Sequence, residues 1–376
     1  MTKHEPTYEF FCYCSRWHLH LTFEEDIECL LMPRSLPWSL TLLIGLVLAA
    51  IPALLLSDKV PVSSFRAALR RAGLQGKAFS STTSLSQSSF NISKSQRLAS
   101  NGTMGRTPVY FLSHGGPNIM EEVHHPAYAK LQEIGQEITQ KVKPKAVVVF
   151  SAHWQGYKDT IEVNTAESMG LIYDFYGFPA HYYEFQYPNN GSPELAEKIL
   201  GKLQGAGIKA EGVRRGLDHG VWASFMCAFN PEKNPLNVPI VQVSLFDMDD
   251  PDMHYALGEA VSSLRDEGIQ IIVSGMAVHN LRDMFRTFGQ PGALDYTYTF
   301  DDALKEAVEQ PPESRQKAMS ELLKRKDARQ AHPSFDHLLP IHIGAGAAGD
   351  DRGKQLWTLP EGSMSWAQYR FGEVGA

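Results

Sequence analysis

Beyond residue 106 the chain alternates between short apolar runs and amphipathic stretches. Thr107–Ser113 (TPVYFLS) and Ala146–Ser151 (AVVVFS) are apolar, β-branched and aromatic, the pattern of strands buried on both faces. Between them Ala127, Leu131, Ile134, Ile138 and Val142 recur at three- and four-residue steps, which predicts a helix with one apolar stripe. Strand, helix and strand at this spacing form a βαβ unit with a right-handed crossover. If its two strands are neighbours, they lie about 4.8 Å apart. The alternation continues. Ser192-Pro193 reads as an N-cap and first helical residue, with Leu195, Ile199, Leu200 and Leu203 as the stripe. Val238–Leu245 (VPIVQVSL) is a further strand. Asp250-Pro251 opens a helix with Leu257, Val261 and Leu264 inward and Gly268 as its stop. Ile269–Ser274 (IQIIVS) is the next strand, and residues 301–330 read as helical on Leu304, Val308, Leu322 and Leu323. The expectation is a single α/β domain over residues 107–376, its central sheet mostly parallel or mixed and flanked by helices.

The first hundred residues follow a different pattern. Leu36–Leu56 (LPWSLTLLIGLVLAAIPALLL) carries no charge and matches the roughly 20 residues that cross a hydrocarbon core. This predicts a leader at 1–35, a hydrophobic, membrane-compatible helix at 36–56 and a disordered, basic, Ser-rich linker at 57–106. Charge sharpens the division. The whole chain is at −7, but residues 1–58 hold three bases against seven acids, and residues 59–103 hold seven bases and no acid. Positive-inside orientation then leaves the C-terminal body in the cytoplasm, anchored through residues 36–56. The acid-free Arg- and Ser-rich stretch also fits a mitochondrial transit segment. A start at Met104 would instead give a soluble cytoplasmic protein. The body itself is acidic, which argues against nucleic acid as a partner. Its lone cysteine, Cys227, excludes a disulfide within the body.

The histidines carry the chemistry. His114 follows the first strand in SHGGP, His153 follows the second in SAHW, and His279 lies five residues beyond IQIIVS. Sites on α/β sheets assemble beyond the carboxyl ends of the strands. Two imidazoles there can reach one ion at roughly 2.0–2.1 Å. His219 stands in GLDHGVW, and Gly115, Gly116 and Gly220 would let the backbone approach a ligand closely. His124 and His125 read as surface loop residues. His332, His337 and His342 cluster near the C-terminus and read as a pocket wall, with His337 as a substrate contact. Tyr173, Phe175 and Phe178, in YDFYGF, could form the aromatic wall around a substrate ring or pack in the core.

The segments VYFLSHGGP, VVFSAHW, IYDFYGFP, GLDHGVW, VPIVQVSL and HLLPIHIGAGAAG resemble, in order, the class III extradiol ring-cleavage dioxygenases, in particular their 4,5-DOPA dioxygenase-like branch. The resemblance covers nearly all of 107–376 and none of 1–103. It implies an oxidoreductase that opens a catechol-type, DOPA-like aromatic substrate with O2 and uses one mononuclear divalent metal, zinc or Fe(II). By it, His114, His153 and His279 are metal ligands, and His219 is a fourth ligand or the acid–base residue. Plant pigment-forming members carry His-Pro-Ser where this chain has His279-Asn280-Leu281, a departure that points toward the bacterial and fungal relatives. Two other readings stay open on the residues. One is a zinc hydrolase with Asp218 as its base. The other is a non-catalytic, membrane-tethered binding protein.

Overall fold

The structure, a computed structural model, describes residues 105–375. The leader, the candidate span 36–56 and the linker as far as residue 104 lie outside the described residues. No helix among the described residues is long and apolar enough to cross a membrane.

The elements alternate as the apolar pattern requires. β1 (Val109–Ser113) leads through α1 (Pro126–Glu137) to β2 (Ala146–Gln155) and β3 (Thr160–Asn164). Next come α2 (Pro193–Gly205), β4 (Lys209–Val213), α3 (His219–Ala228), β5 (Ile240–Leu245), α4 (Pro251–Val261), β6 (Ile269–Gly275) and β7 (Val278–His279). The C-terminal part comprises α5 (Leu281–Thr287), α6 (Asp295–Val308), α7 (Pro312–Leu322), the single turn α8 (Ala328–Ala331) and α9 (Leu339–Ala348). Four short strands close the chain: β8 (Gly353–Trp357), β9 (Pro360–Glu361), β10 (Met364–Ser365) and β11 (Gln368–Phe371). The anticipated caps are present. Ser192 Oγ accepts from Leu195 N–H, Asp250 accepts from Asp252 and Met253 N–H, and Gly268 takes a left-handed φ of 80°. The stretch 301–330 is not one helix: it divides at Pro311-Pro312, because proline cannot donate inside a helix.

The main sheet runs β4-β3-β5-β2-β6-β1-β11-β8. Its centre, β5, β2, β6 and β1, is parallel, whereas β11 pairs antiparallel with β1 and β8. The sheet is therefore mixed. Within it β1 and β2 are not neighbours: β6 lies between them, with Ser113 opposite Gly275 and Ser151 opposite Ser274. The βαβ crossover is long enough to skip a strand, and β6 fills the gap. The carboxyl ends of all three strands still finish level, along one edge.

Both faces of the sheet are covered, and this explains why its central strands are continuously apolar. On one side α1 and α3 pack over Tyr110, Leu112, Val147, Val149 and Ile272. On the other, α4 and α9 pack over Val109, Phe111, Val148, Phe150 and Val273. Helices α4 and α9 touch backbone to backbone at Gly258 and Gly346. A Cβ at either would stand 2.0 Å from Ile343 O or 1.9 Å from Tyr255 O. Two buried arginines hold the C-terminal end of α9. Arg265 donates to Ala347 O and Ala348 O at 2.8 and 2.9 Å, and Arg315 donates to Ala345 O, Gly349 O and Asp351 O. They satisfy carbonyls that a helix end leaves without intrahelical partners, and their charge suits its negative pole. The clamp fixes the helix whose first turn follows His337.

Candidate metal centre and active site

Two kinds of chain terminus meet at the carboxyl edge of the sheet. His114 lies one residue past β1, and His153 lies near the end of β2. His219 is the first residue of α3, and His337 stands two residues before α9. His114, His219 and His337 are 1–3% exposed. His153 Nε2 lies 3.2 Å from His114 Nε2 and 3.2 Å from His337 Nε2. One nitrogen each of His114, His153 and His219 also fall within 4.8 Å of one another. The His219 and His153 rings are tilted at 53°, with centroids 4.0 Å apart.

The outward-facing nitrogens settle the tautomers. His114 Nδ1 is 2.9 Å from Ser274 Oγ, whose own proton goes to Gly220 O, so this nitrogen donates. His153 Nδ1 meets Asp174 Oδ2 at 3.1 Å, and His219 Nδ1 meets Asp174 Oδ1 at 2.9 Å. His337 Nδ1 meets Asp336 Oδ2 at 2.8 Å. With all four Nδ1 atoms donating, each neutral imidazole directs its Nε2 lone pair elsewhere. Burial, reinforced by the adjacent histidines, pushes His114 well below its ordinary pKa. His219 and His337 are lowered for the same reason, although Asp174 and Asp336 oppose the shift. Burial disfavours a charged Asp174, yet His219 and His153 outweigh it and hold the carboxyl below the ordinary range.

These residues fit a single divalent ion. Two ligands 2.0–2.1 Å from one ion at a tetrahedral angle stand about 3.3 Å apart. The two 3.2 Å separations match this spacing. Lone pairs facing each other at that distance repel unless a cation lies between them, and Nδ1 anchoring by oxygen acceptors is the usual support of metal-bound histidine.

Other anticipated residues fall around this group. The ring of His279 is stacked on that of His337, with centroids 3.6 Å apart and planes 11° apart. Each lone pair lies in the plane of its own ring, so two stacked rings cannot both aim squarely at one ion. His337, read from the sequence as a pocket wall, is the ring whose Nε2 meets that of His153. Phe175 is fully buried, its ring edge-on to His219 at 5.5 Å. Tyr173 and Phe178 pack against Phe175, and the Tyr173 hydroxyl donates to Phe185 O. Asp218 is fully buried and accepts from Ser151 Oγ, Arg215 Nη1 and Gln242 Nε2. A base with its lone pairs so engaged cannot reach a bound water, which removes the support for a hydrolase.

Two of the glycines stand in close contact with the protein itself. Gly115 has φ 63°, and a Cβ there would stand 2.0 Å from the Trp366 ring. At Gly220 a Cβ would stand 2.7 Å from His153 Cδ2. His125 is the N-cap of α1 and bonds Glu361, so it is not a free loop residue. Sequence reasoning passed over Asp174, Asp336 and Ser274, which orient the histidines. Asp336 precedes His337 directly, and Asp174 sits inside the aromatic motif, so adjacency was the available signal.

An imidazole cluster at the carboxyl edge of a mixed α/β sheet, three or four nitrogens around one point, defines a mononuclear metal-dependent enzyme. Residues 107–371 match the family described as the catalytic LigB subunit of aromatic ring-opening dioxygenase, and the chain belongs to that family. It is 36% identical over 270 residues to a 4,5-DOPA dioxygenase extradiol of Beta vulgaris, covering 70% of this chain and 95% of that protein. With a 4,5-DOPA dioxygenase extradiol of Escherichia coli it shares 29% over 273 residues, covering 71% of this chain and 95% of that protein. Among solved structures, an uncharacterized protein of Escherichia coli K12 superposes with a TM-score of 0.58 at 26% identity, over 71% of this chain and all of the other. Within the family the chain lies in the DOPA-like branch of the class III extradiol dioxygenases and is a metal-dependent, ring-cleaving oxidoreductase.

Proposed function

We propose that this chain opens a DOPA-like catechol with O2, that His114, His153 and His337 hold a single Fe(II), and that His219 is the acid–base residue. The observation that carries the assignment is the pair of 3.2 Å contacts among three Nε2 atoms whose Nδ1 atoms are all tethered. His114, His153 and His337 would hold the ion, which when bound would supply the redox chemistry that iron has and zinc lacks.

The protein's own part is positional. Asp174 holds the His219 Nδ1 proton, so Nε2 is the nitrogen that can take a proton from a substrate hydroxyl and return it. Phe175 packs edge-on to the same ring and limits its rotation. His219 begins α3, and a helix N-terminus favours the anion that a deprotonated catechol becomes. The surrounding apolar residues exclude water, so these charges act at low dielectric.

The test uses the full-length protein, loaded anaerobically with Fe(II) and then given L-DOPA, caffeate or protocatechuate in air. Oxygen uptake matched to a yellow ring-opened product is the expected result. No uptake with any catechol overturns the reading.

A further inference from the structure

One carboxylate touches two of the four histidines. Asp174 Oδ2 accepts from His153 Nδ1 at 3.1 Å. Asp174 Oδ1 accepts from His219 Nδ1 at 2.9 Å and from the His219 backbone N–H at 3.0 Å. Three donors therefore converge on one side chain, which is 23% exposed. It comes from the loop between β3 and α2, which carries none of those four histidines.

We propose that Asp174 is a positioning residue that sets the tautomers of His153 and His219 together, so that the metal-binding and proton-handling nitrogens face the same space. The inference rests on the assignment of His153 to the ion and His219 to the proton. Only an ionised carboxylate can do this. It presents acceptors on both oxygens, whereas an amide of the same shape presents one acceptor and one donor.

That difference gives a directional prediction. In Asp174→Asn the carbonyl oxygen belongs on the His219 side, where two N–H groups need it. The amide NH2 then faces His153 Nδ1, which must become the acceptor. The His153 proton moves to Nε2 and points at the Nε2 atoms of His114 and His337. A ring in that tautomer has no lone pair left for an ion, as with other histidines whose orienting carboxylate is replaced by an amide.

The experiment measures the zinc affinity of the full-length protein by competition with a chromophoric chelator, alongside long-range 15N–1H NMR of the histidine side chains without metal. In Asp174→Asn, zinc affinity should fall by about 10- to 100-fold. His153 should change from the Nδ1–H to the Nε2–H form while His219 keeps Nδ1–H. Asp174→Ala, whose site solvent can fill, is the second variant; it should also lose about tenfold or more in affinity, with both rings free to exchange tautomers. A folded variant that binds zinc as the wild type does, with His153 still protonated at Nδ1, overturns the proposal. His153→Ala separates the two levels: zinc affinity unchanged in that variant refutes the ligand assignment itself, whatever Asp174 does.

Discussion

Gly220→Ala adds a single methyl group, and the structure specifies what it meets. Gly220 is the second residue of α3. Its new Cβ would stand 2.7 Å from His153 Cδ2, 2.7 Å from Ser151 Oγ and 3.3 Å from Asp218 Oδ1. Carbon atoms in contact stand at about 3.5–4.0 Å, so the His153 ring or the start of α3 must retreat by roughly 1 Å. Overpacking of this size costs about 1–3 kcal/mol. Alanine returns up to about 1 kcal/mol of helix propensity. The net loss, about 1–2 kcal/mol, lowers Tm by roughly 3–6 °C. The functional effect should be much larger, because a displacement of about 1 Å at a reacting centre costs on the order of 100-fold. Thermal unfolding, zinc affinity and catechol-dependent oxygen uptake on one preparation separate the two effects. A Gly220→Ala protein with wild-type zinc affinity and oxygen uptake within about threefold of wild type would refute the reasoning.

Other expectations follow from the same geometry. His337→Ala should abolish stoichiometric metal binding while His279→Ala retains it, as metal analysis of the purified variants would show; the reverse outcome restores His279 as the ligand. His254 is buried on α4 with a pKa lowered to about 4, mainly by burial. A folded pKa below the unfolded 6.5 gives stability that is complete above pH 6.5 and is lost as pH falls toward 4. The His254 share of the loss by pH 5 is about 2 kcal/mol; other buried histidines such as His332 add to the slope, so in urea unfolding of the metal-free protein at pH 7 and 5 His254→Phe should reduce the pH-dependent loss by that share. Arg315→Met leaves the carbonyls of Ala345, Gly349 and Asp351 without their donor. It should cost about 3 kcal/mol and lower Tm by roughly 6–12 °C, read by calorimetry, with metal stoichiometry retained.

Periodicity, caps and composition determined a good deal. The central strands β1, β2, β5 and β6 are apolar runs because both of their faces are covered, and that is visible residue by residue. The starts of α2 and α4 are written as Ser192-Pro193 and Asp250-Pro251, since capping is a local interaction of neighbours in the chain. His114 and His153 could be placed at the active edge from the βαβ rule alone. Nothing local announced β3, β4 or β11, whose short or half-exposed segments become strands only by pairing. Nor did anything local put β6 between β1 and β2.

The division at the site has the same cause. Which histidines stand near the sheet edge follows from sequence, because strand ends are legible. Which of them point inward does not, because ring direction is set by partners far away in the chain. Asp174 holds His153 and His219, Ser274 holds His114, and the stacking of His279 against His337 leaves room for only one of the two to face the others. A tautomer and a side-chain direction are decided by contacts across the fold, and only the folded chain brings those contacts together.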